Sequence, residues 1–372
     1  MSSPTSGLPD GARRERAPLR QAGLIPIHLA AAYPPEAVRA MLRAGRWARV
    51  RPGAYVETPA LESVGGDRSG QAEGNLGAAD RADADHRGRD FDTETLRALA
   101  QALAFAAQSA RRGRTPVFVR GTAALLHGLP TWRPPTAVHV SRGASSGTGR
   151  SPGIRVHTAP LTLAETCTVH GRIRASTVTR TALDIARFGS ILEGLVVLDG
   201  ALRSGVTREQ LCAALVTKGS GRGVRQAREL IDLADPGAES PWESRTRLHV
   251  HALGLPRPVA QHPIATASGQ YRADLAWPRW KVLLEFDGMV KYTRLAGGDP
   301  AGVVVREKLR EDALRSEGWT VVRVTAADLT VPAAFHARLL RAFPPQAHAL
   351  APRPHLLLPP TQASRRSPGS RP

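Results

Sequence analysis

Residues 271–288 read YRADLAWPRWKVLLEFDG, two β-like runs on either side of a short connection, Pro278 to Lys281. The first run covers 270–277 and the second 281–287. A hairpin centred between Arg279 and Trp280 sets Asp274 directly opposite Glu285, and Arg272 opposite Asp287. Because side chains alternate along a strand, Arg272, Asp274, Glu285 and Asp287 are then predicted to share one face. Like charges facing each other across a ladder repel. A chain that keeps Asp274 and Glu285 as partners is expected to offset that repulsion, and a divalent cation does so. Mg2+ is held by one or two carboxylates together with waters and substrate phosphates. There it would activate a water and neutralise charge on a scissile phosphate. The competing arrangement pairs Arg272 with Asp287 and leaves Asp274 and Glu285 at a solvated sheet edge.

Working outward, Ser240-Pro241-Trp242-Glu243 opens a helix that runs to about Leu253 and ends at Gly254. A further β-like run covers 258–264, a charged helix is expected over 304–317, and a last strand runs from Trp319 to Val324. The order α-β-β-β-α-β describes a compact α/β unit. Ser240 and Glu243 have capping-box spacing with Pro241 at the first helical position, so Glu243 reads both as a cap and as a site carboxylate. Gln261, on the neighbouring strand, is a weaker candidate for the same site. The strings YRADLAW and KVLLEFDG, followed by REDALRSEGWTVVRVT at 310–325, resemble the PD-(D/E)XK nuclease superfamily. The nearest branch is that of the very-short-patch-repair (Vsr-like) endonucleases, and the resemblance spans about 239–329.

That resemblance implies a restriction-endonuclease-like domain with a mixed sheet. It implies that Asp274 and Glu285 hold Mg2+ or Mn2+ and that Asp287, Lys291 and Glu243 assist as catalytic residues. Asp312 and Arg315 match an Asp and an Arg on the helix before the last strand, and Arg315 and Arg323 read either as phosphate contacts or as surface charge. Two departures stand out. The superfamily's lysine, two positions after the acid, is Asp287 here, an aspartate that many Vsr-like members share. The histidine those members carry after Asp-Gly corresponds to Lys291, which reads either as a positive charge for the attacking water or a phosphate, or as a mark of drift from activity.

At the other end, 24–31 (LIPIHLAA) reads as a short helix and Tyr33-Pro34-Pro35 as a turn. A second helix over 36–44 follows, with Gly45 as its cap. Residues 47–56 then form two β-like runs about Pro52-Gly53, a hairpin signal. Helix, turn, helix and two-stranded wing is the order of a winged helix-turn-helix. Arg39, Arg43 and Arg46 project from the second helix, while Arg49 and Arg51 on the wing would reach phosphates. The string GRWARVRPGAYV at 45–56 resembles the N-terminal winged helix of AbiEi-type abortive-infection antitoxins. RGTAALLHGLP at 120–130 and TRTALDIAR at 179–187 are similar to the body of the same proteins. The resemblance implies double-stranded DNA as a partner and allows a cognate toxin as another. His127, before Gly128, reads as a helix-end cap, and the middle of the chain shows no chemistry of its own.

The expected fold class is α+β and multidomain. A polar tail covers 1–20, the winged helix 21–60, a flexible Gly/Asp/Arg-rich linker 61–93, an AbiEi-like α/β middle domain 94–235, the nuclease-like domain 236–343 and a Pro-rich tail 344–372. In 372 residues there are 51 Lys plus Arg against 32 Asp plus Glu, a net charge of +19. The tails and linker account for little of it, so a surplus of roughly +17 belongs to the rest of the chain. Only four of the basic residues are lysines, which fits a GC-rich genome; a surplus over acids is the usual footprint of a nucleic-acid partner. Cys167 and Cys212 have no metal-binding or disulfide-framework spacing. No run of 18 apolar residues and no apolar leader is visible, so the expectation is a soluble, cytoplasmic protein, nucleoid-associated if it meets DNA, without a membrane partner.

The leading functional expectation is a metal-dependent DNA endonuclease in repair or defence. The alternative is an AbiEi-type antitoxin-like transcriptional regulator whose nuclease fold is inactive. RNA stays open as a substrate, since the same site would cut either backbone, although aromatic residues are only 5% of the chain and offer few stacking platforms.

Overall fold

A computed structural model of the chain describes residues 25–58, 88–141, 152–158, 160–287, 300–348 and 350–357, with side chains of 88–93 and 300–307 excepted. The expected tail 1–20, most of the linker and Lys291 lie outside the described residues. Among the described residues the architecture is α+β with three sheets. Contacts divide it into two compact units, one of residues 1–128 and 133–181, the other of 129–132 and 182–372. These units are coarser than the boundaries expected from the sequence, and each holds more than one layer of structure.

In the first unit, strand β1 (His28–Leu29), helix α1 (Pro35–Arg43), β2 (Trp47–Arg51) and β3 (Ala54–Glu57) build a three-stranded antiparallel sheet in the order β1-β3-β2 with one flanking helix. The hairpin turns at Gly53, which adopts φ +72, a conformation glycine reaches without steric cost. Trp47 stacks on His28 at 4.4 Å and on Tyr55 at 5.9 Å, so the GRWARVRPGAYV string supplies this small core. The expected helix over 24–31 is not formed: His28 and Leu29 pair with Tyr55 and Ala54, and a single 3-10 turn, Ala30–Ala32, follows. The distant partner strand wins over a weak local helical preference.

Helix α2 (Gly88–Arg111) begins inside the expected linker. Its Ala100 and Ala104 pack against β2 and β3, while Ala102 and Leu103 pack against a second sheet. That sheet contains β4 (Val117–Phe118), β5 (Val138–Ser141), β6 (Ile154–His157), β7 (Thr166–Val169) and β8 (Ile173–Ser176) in the order β6-β5-β4-β8-β7. Helix α3 (Arg120–Leu126) covers it with Ala123 and Leu126. His127 caps α3 and its Nε2–H donates to the Ser176 carbonyl at 2.7 Å, which accounts for it structurally.

Helix α4 (Val178–Phe188) leads into the second unit. There α5 (Ile191–Arg203), α6 (Arg208–Val216), α7 (Val224–Leu233) and α8 (Pro241–Ala252) pack together. Asp199 on α5 and Arg247 on α8 form an ion pair with both side chains 1% exposed, which fastens the two helices. The α-β-β-β-α-β order then appears: α8, β9 (Val259–Thr266), β10 (Gly269–Trp277), β11 (Val282–Phe286), α9 (Pro300–Ser316) and β12 (Thr320–Val324). The sheet runs β12-β11-β10-β9, antiparallel except for the β11–β12 pair. Val282 and Leu284 join a core with Val250 of α8, whereas Leu283 joins Leu314 of α9. Alternate residues of one strand meet different helices, so α8 and α9 cover opposite faces. Helices α10 (Ala326–Thr330) and α11 (Ala333–Arg341) complete the α8 side with Leu329 and Phe335. Packed chain continues past Phe343: Ala347 and Leu356 are buried and the Arg353 N–H donates to Ala252. Among the described residues, no helix is long and apolar enough to cross a membrane.

Candidate functional site

The β10–β11 ladder pairs Trp277 with Val282, Ala276 with Leu283 and Leu275 with Leu284. This is the expected register, and extending it by one residue brings Asp274 level with Glu285. The main-chain ladder stops there because Asp274 takes over as acceptor: its Oδ2 receives the Phe286 N–H at 2.8 Å. On the other side, β9 pairs His262 with Ala273 and Ala260 with Leu275, so Gln261 lies level with Asp274. Parallel pairing sets Glu285 beside Arg323 on β12. One row across the sheet therefore reads Gln261, Asp274, Glu285, Arg323.

The backbone bends at this row. Gln261 has φ +52 within a strand, a left-handed conformation that costs a non-glycine residue about 1–3 kcal/mol. Ala260 and Leu275 pack into the α8-side core, but Ile264, Ala273 and Ala276 pack on the α9 side, so alternation breaks between Ala273 and Ala276. The expectation of Arg272, Asp274, Glu285 and Asp287 on one continuous face assumed unbroken alternation and does not hold. Arg272 is bonded to Glu239, just before α8, at 2.9 Å and not to Asp287. Glu285, sharing the parity of Leu283, turns to α9 and pairs with Arg310. The Asp287 N–H donates to Val324 at 2.8 Å and extends the β11–β12 pairing.

Glu243 is brought to the row from α8. The Gln261 Nε2–H donates to its Oε2 at 2.8 Å, as does the Glu239 N–H at 2.9 Å, and the Ser240 hydroxyl donates to Oε1 at 2.8 Å. It thus serves as a helix cap and as a neighbour of the site. Burial pushes its carboxyl above the usual range, and the Asp274 charge adds to the rise against the Glu239 N–H and Ser240 bonds. Asp274 and Glu243 are therefore within electrostatic reach of each other. Among the described residues no three His, Cys, Asp or Glu side chains cluster to hold a metal by themselves. A carboxylate pair still suits Mg2+, which takes its other ligands from water and phosphate. Asp274 Oδ1 has no hydrogen-bond partner among the described residues, so Asp274 retains an oxygen for a cation.

Arg310 is the residue that the sequence reading did not single out. It lies four positions before the buried Leu314, hence on the stripe of α9 that meets the sheet. Its guanidinium bonds Glu285 and sits 5.6 Å from the centroid of the Tyr271 ring. Beside it, Glu311 bonds Arg315 at 2.5 Å and Arg323 at 3.2 Å, so these two arginines already have carboxylate partners. In the first unit Arg39, Arg43, Arg46 and Arg49 are exposed, whereas Arg51 is half-buried with its guanidinium over Phe105 of α2.

No known family model matches the chain. It is 34% identical over 224 residues to an uncharacterized protein of Mycobacterium tuberculosis found in two strains, an alignment covering 59% of this chain and 79% of that protein. Among solved structures it is similar to a crystal structure of the RV2827C protein of the same organism. That match has a TM-score of 0.32 and 15% identity over 65% of this chain and 82% of the other, too low a likeness to bear on fold or function.

Proposed function

The chain belongs to the family of Rv2248, an uncharacterized protein of M. tuberculosis, and we propose from its own residues that it is a metal-dependent DNA endonuclease. In this reading residues 25–57, one helix against a three-stranded sheet where a helix-turn-helix was expected, grip duplex DNA, and 236–343 are a nuclease-like domain of PD-(D/E)XK type. The observation that supports it is the β10–β11 register, which, extended one residue beyond Leu275 and Leu284, brings Asp274 level with Glu285 where the ladder ends. Asp274 and Glu285 would hold Mg2+ or Mn2+, which supplies an activated water and neutralises phosphate charge. Asp274 keeps its orientation through the Phe286 N–H. Glu243, with its raised proton affinity, is suited to exchange a proton with solvent or substrate near the site. Gln261 fixes Glu243 in place. Nicking of supercoiled plasmid that requires Mg2+ or Mn2+ and is lost with EDTA tests this reading.

Duplex binding would rest on the exposed arginines of the first unit. Replacing Arg39, Arg43, Arg46 and Arg49 together with alanine is expected to weaken binding of unrelated duplexes alike. It should also flatten the slope of log K against log salt by about 0.9 for each phosphate that the variant no longer neutralises. A slope unchanged in the quadruple variant, measured by fluorescence anisotropy across a salt series, would remove this face from the interface.

A second reading is favoured by the pairing of Glu285 with Arg310. That ion pair neutralises a proposed metal ligand from within the protein, as a regulator with a retired nuclease fold would allow. Such a protein binds operator DNA with no need of metal, and a toxin partner would belong to this reading.

A further inference from the structure

We propose that Arg310 is a gate on the carboxylate site, closed by Glu285 in the free protein and opened by a DNA phosphate. The inference rests on the nuclease reading and concerns how its site is regulated. Three observations converge on the residue. Its guanidinium bonds Glu285, the carboxylate that the β10–β11 register, extended by one residue, brings level with Asp274. It lies on the Tyr271 ring, the residue three before Asp274 on the same strand, so one side chain bridges both strands of the site. Its side chain is 25% exposed and Glu285 12%, so the pair sits at the rim, within reach of an incoming polyanion.

The remaining cations nearby are differently placed. Arg315 and Arg323 share Glu311 as a carboxylate partner. Arg310 bonds Glu285 directly and so couples the phosphate-facing surface to it. A guanidinium at Glu285 opposes a divalent cation there twice over, by occupying the carboxylate and by like-charge repulsion. Moving it onto a backbone phosphate gives the planar guanidinium a bidentate partner of comparable quality and leaves Glu285 to the cation. Cation and DNA then favour each other, and linkage makes the effect reciprocal.

The test measures Mn2+ binding to the full chain by calorimetry in the absence of turnover, with and without a short duplex of arbitrary sequence. For the wild type, the duplex is expected to tighten Mn2+ binding roughly 5–150-fold, the usual span of such coupling. Arg310→Gln should bind Mn2+ more tightly than wild type without DNA and lose most of the DNA-induced gain. Arg310→Lys, which keeps the charge, should stay close to wild type, and thermal melting checks that both are folded. Equal Mn2+ affinity and an equal DNA response in wild type and Arg310→Gln would overturn the gate while leaving the metal site standing. Absence of Mn2+ binding in every form, with or without duplex, would overturn both the gate and the nuclease reading.

Discussion

Asp199→Ala is expected to destabilise the second unit by about 3–5 kcal/mol, because it leaves a buried guanidinium without its counter-charge. That is a large part of the roughly 5–15 kcal/mol that holds a whole domain together. Asp199 Oδ2 accepts from Arg247 and from the Ser244 hydroxyl at 2.6 Å, and Oδ1 accepts the Asp235 N–H at 2.8 Å. Burial pushes the Asp199 carboxyl above its usual range, and Arg247, Ser244 and the Asp235 N–H counter part of that rise. Alanine takes this acceptor from all three donors at once, and the Ser244 hydroxyl falls back on the Ser240 carbonyl at 3.4 Å. Arg247 keeps only its bond to the Leu233 carbonyl. Urea unfolding would show the loss as a lower midpoint at unchanged slope. The double replacement Asp199→Leu with Arg247→Met removes both charges and should recover most of it. A single variant as stable as wild type would mean that the pair does not form.

Acid is expected to destabilise the protein from about pH 6.5 downward, above the range in which ordinary exposed carboxylates titrate. Burial first, then neighbouring positive groups, holds four histidines low: His139 to about 3 beside His157 and Arg155, His157 to about 4 beside Arg120, His249 to about 3 beside His336, and His251 to about 3 beside Arg247. A histidine whose folded pKa is depressed stays neutral in the native state while the unfolded chain takes up a proton. Stability then rises with pH across the interval between the two values and is lost as pH falls through it. Each enclosed histidine contributes a slope of up to about 1.4 kcal/mol per pH unit. His249 and His251 carry the largest shares, and the half-exposed His157 less because solvent screens it. The melting temperature should therefore fall steadily between about pH 6.5 and pH 4.5. His251→Phe should make that fall shallower. A flat profile over this range would show that these imidazoles are solvated in the native state.

The sequence made the second unit's sheet legible because a short hairpin sets its own register. Pro278–Trp280 forms a single 3-10 turn, and Lys281 at φ +52 closes it, so the pairing follows from the connection alone. Glu243 and Gln261 were readable for similar local reasons, a capping spacing and a neighbouring strand. The face of each side chain was not. Alternation is a rule for regular strands, and the left-handed Gln261 breaks it at the row that matters. Arg310 escaped notice because its role depends on which side of α9 meets the sheet, a matter of tertiary packing. The long helix α2 was hidden by a start inside an acidic, Gly-rich stretch, and its alanines serve two cores at once. The Pro-rich segment after Phe343 looked like a tail because its buried residues, Ala347 and Leu356, are isolated and follow no period.

The nuclease proposal is tested most directly by plasmid cleavage with the purified full chain at low salt, in Mg2+, Mn2+ or EDTA, alongside Asp274→Ala and Glu285→Ala. The proposal predicts nicking or linearisation that depends on the cation and vanishes in both variants, while all three proteins still bind DNA. No cleavage by wild type under any cation, with DNA still bound alike by wild type and variants, would contradict it.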